Sequence, residues 1–201
     1  MLPKPERTIY MDHAATTPVD PRVVEAMLPY FSAQYGNPSS IYALGREAAG
    51  ALDAARKTVA DVLHTQPRDI IFTSGGSESD NLAIRGCAFA RRKQGKNHII
   101  TSPIEHHAVS HTVEQLVKEF GFESTIVPVD RYGVVDPAAV ERAITERTAL
   151  VSIMYANNEM GTIEPLAEIG AITRAKKVPF HTDAVQAGGV LDLDVDALGV
   201  D

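Results

Sequence analysis

Apolar positions follow two rhythms along this chain. From residue 41 to 62, Ile41, Leu44, Ala48, Leu52, Ala55, Val59 and Val62 recur at helical spacing with charges on the other face, which predicts one long amphipathic helix. Beyond residue 66 the apolar residues gather into short runs at Asp69–Thr73, His98–Thr101, Thr125–Val129, Ala149–Tyr155 and Val178–Asp183, each read as a strand. Helix-like segments lie between them, at about 79–93, 106–120, 136–146 and 165–176, with Pro137 and Pro165 where a first helical turn accepts proline. Upstream, Thr8–Pro18 reads as an extended piece entering a polar turn. Asp20-Pro21 before Val23, Val24, Met27 and Leu28 predicts a capped helix, and Gly36–Ser40 a loop. Strands alternating with helices imply βαβ crossovers, hence an α/β fold with a mostly parallel sheet sandwiched by helices. With no repeat, low-complexity segment or linker, residues 1–201 read as a single domain: a helical segment 1–65, then βα repeats 66–201.

Ligands of such sheets collect at the carboxyl ends of the strands. Four ends here carry chemistry: Ser74-Gly75-Gly76-Ser77, Glu105-His106-His107, Asn157-Asn158-Glu159 and His181-Thr182-Asp183-Ala184-Val185-Gln186. At the first, Gly75 and Gly76 let backbone N–H groups come close to a ligand, the next helix offers its positive end, and Ser77 adds a hydroxyl, as a phosphate requires. The same stretch also reads as a capped helix start, with Ser77 as N-cap and Glu78 and Asp80 in the first turn. It is neither a dinucleotide fingerprint nor a P-loop. A nucleophile elbow nearly fits Gly75–Ser79, with Ser79 in place of the last glycine; a serine hydrolase using Ser77, Asp130 or Asp136, and His181 is the corresponding alternative.

Asp183 ends an apolar strand, where a carboxylate needs a cation or strong donors; a protonated heteroaromatic nitrogen would serve, as would a salt bridge or a helix N-terminus. His106 opens a helix, placed to stack on a flat ring or move a proton, or simply to face water. Asn158 and Gln186 are neutral donors suited to a ring hydroxyl or a carboxylate, or to satisfying turns. His106, His107 and His111 lack a nearby thiolate or clear third ligand, so no metal site is assigned. Cys87 lies in an apolar helix stripe and reads as a small core residue. A phosphate cradle, an imidazole, two amides and a strand-end carboxylate together describe a site for a phosphorylated, protonatable aromatic. Pyridoxal 5′-phosphate fits every group, its ring an electron sink once the nitrogen is held protonated.

Composition narrows the classes. At 44% hydrophobic and 22% charged residues the chain has a globular make-up, and its net charge of −7 argues against a nucleic-acid partner. No apolar run is long enough to span a membrane, and the first residues lack a signal peptide's apolar stretch. The single cysteine excludes an internal disulfide and suits a reducing compartment, so a cytoplasmic location is expected.

Six spaced motifs carry a family resemblance: Tyr10-Met-Asp-His-Ala-Ala-Thr-Thr-Pro, Gly36-Asn-Pro-Ser-Ser, Phe72-Thr-Ser-Gly-Gly-Ser-Glu-Ser-Asp-Asn, Glu105-His-His-Ala-Val, Asn157-Asn-Glu-Met-Gly and His181-Thr-Asp-Ala-Val-Gln. In this order they closely resemble the cysteine desulfurases of the NifS/IscS type, class V, fold-type I pyridoxal phosphate enzymes. The resemblance implies that Gly75, Gly76 and Ser77 hold the cofactor phosphate, where the family often has Ala-Thr at positions 76 and 77. It implies that His106 is catalytic and stacks on the ring, that Asp183 pairs with the ring nitrogen, and that Asn158 and Gln186 contact the ring's oxygen side. Asn37 and Asn158 are implied at the substrate pocket. The implied reaction takes sulfur from L-cysteine as an enzyme persulfide, leaves L-alanine, and feeds iron–sulfur cluster or thiolated-cofactor assembly. A homodimer and a sulfur-accepting scaffold protein are the implied partners.

Beyond residue 186 the chain departs from the family. The Ser-x-His-Lys motif with the covalent anchor lysine, the persulfide cysteine, the substrate arginine and the C-terminal small domain do not occur. The expectation is therefore a C-terminally truncated large domain, inactive alone, with an open sheet edge and an uncovered apolar face prone to aggregation. Alternatives are a selenocysteine lyase, another class V aminotransferase, or a non-catalytic protein that binds the cofactor or a partner.

Overall fold

The structure, a computed structural model, describes residues 9–201. Its contacts gather into two compact units, Met1–Ala55 and Arg56–Asp201. The predicted start at Thr8 lies outside the described residues.

In the first unit, helix α1 (Pro21–Ser32) starts as its sequence demands: the Asp20 carboxylate accepts from the Arg22 amide, and Pro21 occupies the first turn. The Gly36–Ser40 loop closes on Asn37, whose Oδ1 accepts from the Ser39 amide at 2.9 Å. The long helix is α2 (Ala43–Leu63), and the boundary between the units falls within it.

The second unit carries the sheet. After a 3₁₀ turn (Pro67–Asp69) come α3 (Gly76–Arg92), β1 (His98–Thr101), α4 (His107–Phe120), β2 (Glu123–Ile126), α5 (Pro137–Ala143), β3 (Thr148–Ser152), α6 (Leu166–Lys176), β4 (Phe180–His181) and α7 (Val195–Leu198). All pairings are parallel, in the order β2-β1-β3-β4. Side chains of β1 and β3 alternate between two cores. Ile100 and Val151 enter one with Val140, Ile169 and Phe180; Ile99 and Leu150 enter the other with Ile84, Val109 and Leu116. Helices α3 and α4 pack on each other, as do α5 and α6. Both faces are covered, which is why these strands read as unbroken apolar runs. The contact between α6 and the end of α7 depends on glycine: a Cβ on Gly170 would stand 2.4 Å from the Leu198 carbonyl oxygen.

Three expectations need correction. Asp69–Thr73 is not a strand: Asp69 ends the 3₁₀ turn, the Ile70 amide bonds back to Pro67, and Ile71 and Phe72 are 71% and 46% exposed. Strand propensity describes fit to a paired, pleated surface, and none of the four strands pairs with this segment. The run predicted at Thr125–Val129 forms its strand earlier, at Glu123–Ile126, and Val129 instead makes an antiparallel bridge with Val135. Pro165 is the residue before α6, with ψ 61, rather than its first helical residue.

Candidate functional site

The first site element is the start of α3, which no strand precedes among the described residues. Gly75 is the N-cap in an extended conformation and makes no side-chain cap. Its carbonyl accepts from the Glu78 and Ser79 amides. Gly76 and Ser77 are the first two helical residues, whose amides have no acceptor within the helix, and neither bonds elsewhere among the described residues. The Ser77 hydroxyl is also exposed and uncommitted among them. The N-cap reading of Ser77 is thereby corrected: local closure falls to Glu78, whose carboxylate accepts from the Ser74 amide at 2.7 Å and hydroxyl at 2.6 Å. These bonds hold Glu78 below the usual carboxylate range and occupy the one acid of the first turn. Two free amides and a hydroxyl at the positive end of a 17-residue helix remain, a donor set for an anion.

Gly76 also sits tightly against the turn after β4, where a Cβ would lie 2.8 Å from Val185 Cγ2. That turn carries Asp183, 7% exposed. One carboxylate oxygen, Oδ1, accepts from the Val185 amide at 3.0 Å, while Oδ2 has no hydrogen bond among the described residues. Burial pushes Asp183 above the usual carboxylate range and the nearby Asp80 adds to this; His181 and His106 pull the other way. Beneath it His181 bridges elements, with Nδ1 2.9 Å from Ser152 Oγ on β3 and Nε2 3.5 Å from the buried Asp80 of α3. Gln186 is exposed in the following turn.

His106 is the N-cap of α4, and its Nδ1 accepts from the Ala108 amide at 3.1 Å. The proton of the neutral ring must then sit on Nε2, leaving one free N–H donor with a fixed tautomer. His107 and His111 instead stack edge to face on α4, ring centroids 4.7 Å apart.

At the end of β3 two adjacent asparagines divide the work. Asn157 is buried: its Oδ1 accepts from the Glu159 and Met160 amides, and its Nδ2 donates to the Ile104 carbonyl at 3.0 Å. Asn158 is half-buried and, among the described residues, bonds only to its neighbour Glu159, at 3.1 Å. The turn-satisfying role is thus Asn157's, and the amide of Asn158 is held by a single local bond.

His106, Asn158, Asp183 and Gln186 follow the carboxyl ends of β1, β3 and β4, and Gly75, Gly76 and Ser77 open α3 against the turn after β4, all within the second unit. Asn37 belongs to the first unit. Glu105, Asn157, Asp80 and His181 are named in the sequence reading but given no part in the cofactor site, and the structure places them beside it. The available signal was position alone: each is a polar residue at a strand end or one turn into the helix after it.

Cys87 is half-buried on α3 against the second core, with its thiol pushed up by burial, in keeping with a packing role. Among the described residues no helix is long and apolar enough to cross a membrane.

Comparison with known proteins places this geometry. Residues 9–201 match the family described as Aminotransferase class-V. The chain is 55% identical over 195 residues to a cysteine desulfurase IscS of Methanosarcina thermophila, covering 97% of this chain and 48% of that protein. It is 50% identical over 195 residues to a cysteine desulfurase IscS of Clostridium botulinum strain Hall, covering 97% and 49%. Among solved structures it superposes on SspA in complex with cysteine with a TM-score of 0.92 at 42% identity, covering 96% of this chain and 55% of that one. A NifS-like protein gives 0.91 at 42% identity, covering 96% and 53%. The chain thus spans about half the length of the curated relatives it matches.

Proposed function

From the premise that this chain belongs to the class-V aminotransferase family, we propose that its second unit is the pyridoxal 5′-phosphate platform of a cysteine desulfurase. The observation that carries the reading is the convergence of two free amides and the Ser77 hydroxyl at the start of α3 with a buried carboxylate that has an uncommitted oxygen. The residues fit the group. Gly75, Gly76 and Ser77 would hold the phosphate and Asp183 the protonated ring nitrogen, with His106, Asn158 and Gln186 as the further residues that would contact the group. When bound, the cofactor supplies an electron sink for a carbanion.

The chain's own residues do the rest. Asp183, raised by burial and by Asp80, would keep the ring nitrogen protonated by offering a carboxylate where water is scarce, and a ring cation would offset that burial. His106 presents Nε2–H as a hydrogen-bond donor, and taking up a second proton would place it on Nδ1 and break the capping bond from Ala108. Relatives named cysteine desulfurase, and a solved relative in complex with cysteine, support L-cysteine as the substrate. Removal of its sulfur would give L-alanine and feed iron–sulfur or thiolated-cofactor assembly, with a sulfur-accepting scaffold and a second copy of the chain as partners in the cytoplasm. Asn37 would join the substrate pocket in that assembly, and both units would belong to one large domain. The anchor-lysine motif and persulfide cysteine of the family do not occur in these 201 residues, so the complete reaction is proposed for the whole protein and the platform for this chain.

Replacing Ser77 by alanine tests the reading. A hydroxyl bonded to a charged phosphate contributes about 1.5–3 kcal/mol, so affinity for pyridoxal 5′-phosphate, followed by equilibrium dialysis, should fall by about tenfold or more. Affinity for pyridoxal, which lacks the phosphate, should not change. Thermal stability should also hold, because Ser77 caps nothing, whereas loss of a true serine cap costs about 1 kcal/mol. Equal affinity of parent and variant for the phosphorylated ligand would overturn the phosphate assignment.

A further inference from the structure

Glu105 precedes His106 and is 8% exposed, yet no role in the proposed reaction reaches it. Its Oε1 accepts two bonds, from Ser102 Oγ at 2.6 Å and from the Met154 amide at 3.0 Å, while Oε2 is fully buried without a hydrogen-bond partner. The first bond closes the turn after β1 on itself. The second crosses to the backbone just past β3. Next to it, Asn157 Nδ2 bonds to the carbonyl of Ile104, the residue before Glu105. Past β3 the same backbone continues across to β4's end, where the Tyr155 amide bonds to the Asp183 carbonyl at 2.9 Å. A two-bond stitch therefore joins the turn that ends in His106 to the segment that leads to Asn158 and is itself hydrogen-bonded to Asp183.

We propose that Glu105 is a positioning residue: with Asn157 it ties the Ser102–His106 turn to the end of β3 and so sets the His106 imidazole relative to Asn158 and Asp183. The purpose of that placement rests on the cofactor reading above; the tie itself does not. Glu105 does this as a neutral acid. Oε1 takes both donors, and the enclosed Oε2, which no donor reaches among the described residues, disfavours a full carboxylate charge there. Burial, with the acids Asp183 (after β4) and Glu164 (before α6) facing it, pushes Glu105 up to about 8. Against these, the Ser102 hydroxyl and Met154 amide favour the ionised form. Asp183 is in turn faced by Asp80 of α3 and by His181 and His106. Because the folded value lies above the unfolded one, the folded chain binds the extra proton between the two. Stability therefore falls as pH rises from the ordinary carboxylate range through about 8.

The test uses the whole chain with Glu105→Gln and Glu105→Ala, reading the His106 ring by NMR over pH 5–9 and binding of pyridoxal 5′-phosphate at pH 7. In the parent, the ring resonances should show a step near pH 8 as Glu105 ionises. Glutamine keeps the acceptor, cannot ionise, and should abolish that step while leaving affinity within twofold. Alanine removes the tie and should weaken binding by about tenfold, with glutamine standing as the conservative rescue. A parent without the step near pH 8, a step that persists in Glu105→Gln, or an alanine variant that binds as the parent does would each overturn the proposal. The NMR comparison of parent and Glu105→Gln decides the matter if the alanine variant does not fold. Failure of the cofactor reading looks different: no variant binds pyridoxal 5′-phosphate, yet the His106 step still disappears in Glu105→Gln.

Discussion

Substituting Asp183 by asparagine should lower affinity for pyridoxal 5′-phosphate by about tenfold to a hundredfold, the range expected when a charge-assisted bond of about 1.5–3 kcal/mol is lost. Asparagine still offers Oδ1 to the Val185 amide, so the turn should persist and the loss should fall on the ligand alone. The ligand-free chain should move the opposite way. Burial and Asp80 hold Asp183 above its ordinary range, so the folded state retains a proton that the unfolded state gives up. This contribution to stability is complete at low pH and is lost as pH rises through the folded value. Asparagine does not titrate. Asp183→Asn without ligand should therefore melt above the parent at pH 8, with the gap closing towards pH 4. Weaker ligand binding together with a more stable apo fold marks a group kept for function. A variant that both binds and melts as the parent does would show that Asp183 carries no such charge interaction.

The second large effect concerns the platform's foundation. Phe180 is buried in the core shared by Ile100, Val151 and Ile169, and it begins the strand that delivers His181 and then Asp183. Replacing it by alanine should cost about 3–5 kcal/mol, transfer and cavity terms together. That is a large share of the roughly 5–15 kcal/mol that holds a typical domain folded. Phe180→Leu should cost clearly less, since most of the volume remains. Urea unfolding monitored by circular dichroism separates these cases, and a loss under 1 kcal/mol for alanine would mean that β4 does not rest on this core.

How much of this could be read from sequence depended on where each residue's partners lie. The βα alternation was legible because Ile99, Ile100, Leu150 and Val151 are buried on both faces of the sheet and leave unbroken apolar runs. Asp20 was legible for a local reason: it caps a helix whose proline comes at once, a signal Asp136 shares but was not read for. Ile70–Thr73 misled because its β-branched character says nothing of a neighbouring strand, and here none pairs with it. Ser77 and Gly75 are both plausible caps by composition; the extended backbone at Gly75 decided between them. Asn157 and Asn158 are the same residue type one position apart, and only the long-range bond from Asn157 to Ile104 tells the structural one from the half-buried one. Glu105 was the least legible. It stands in a polar run without periodicity, and its burial arises where two separate loops meet, a tertiary fact that no window of sequence contains.

The central claim is that loops after separate strands form one cofactor platform. The most direct test is an amide-resolved NMR titration of the chain with pyridoxal 5′-phosphate, with pyridoxal as control. Saturable shifts confined to residues 75–78, 105–108, 157–159 and 183–187, with the 75–78 group silent towards pyridoxal, are the predicted result. No saturable binding, or shifts that leave Ser77 and Asp183 untouched, would contradict it.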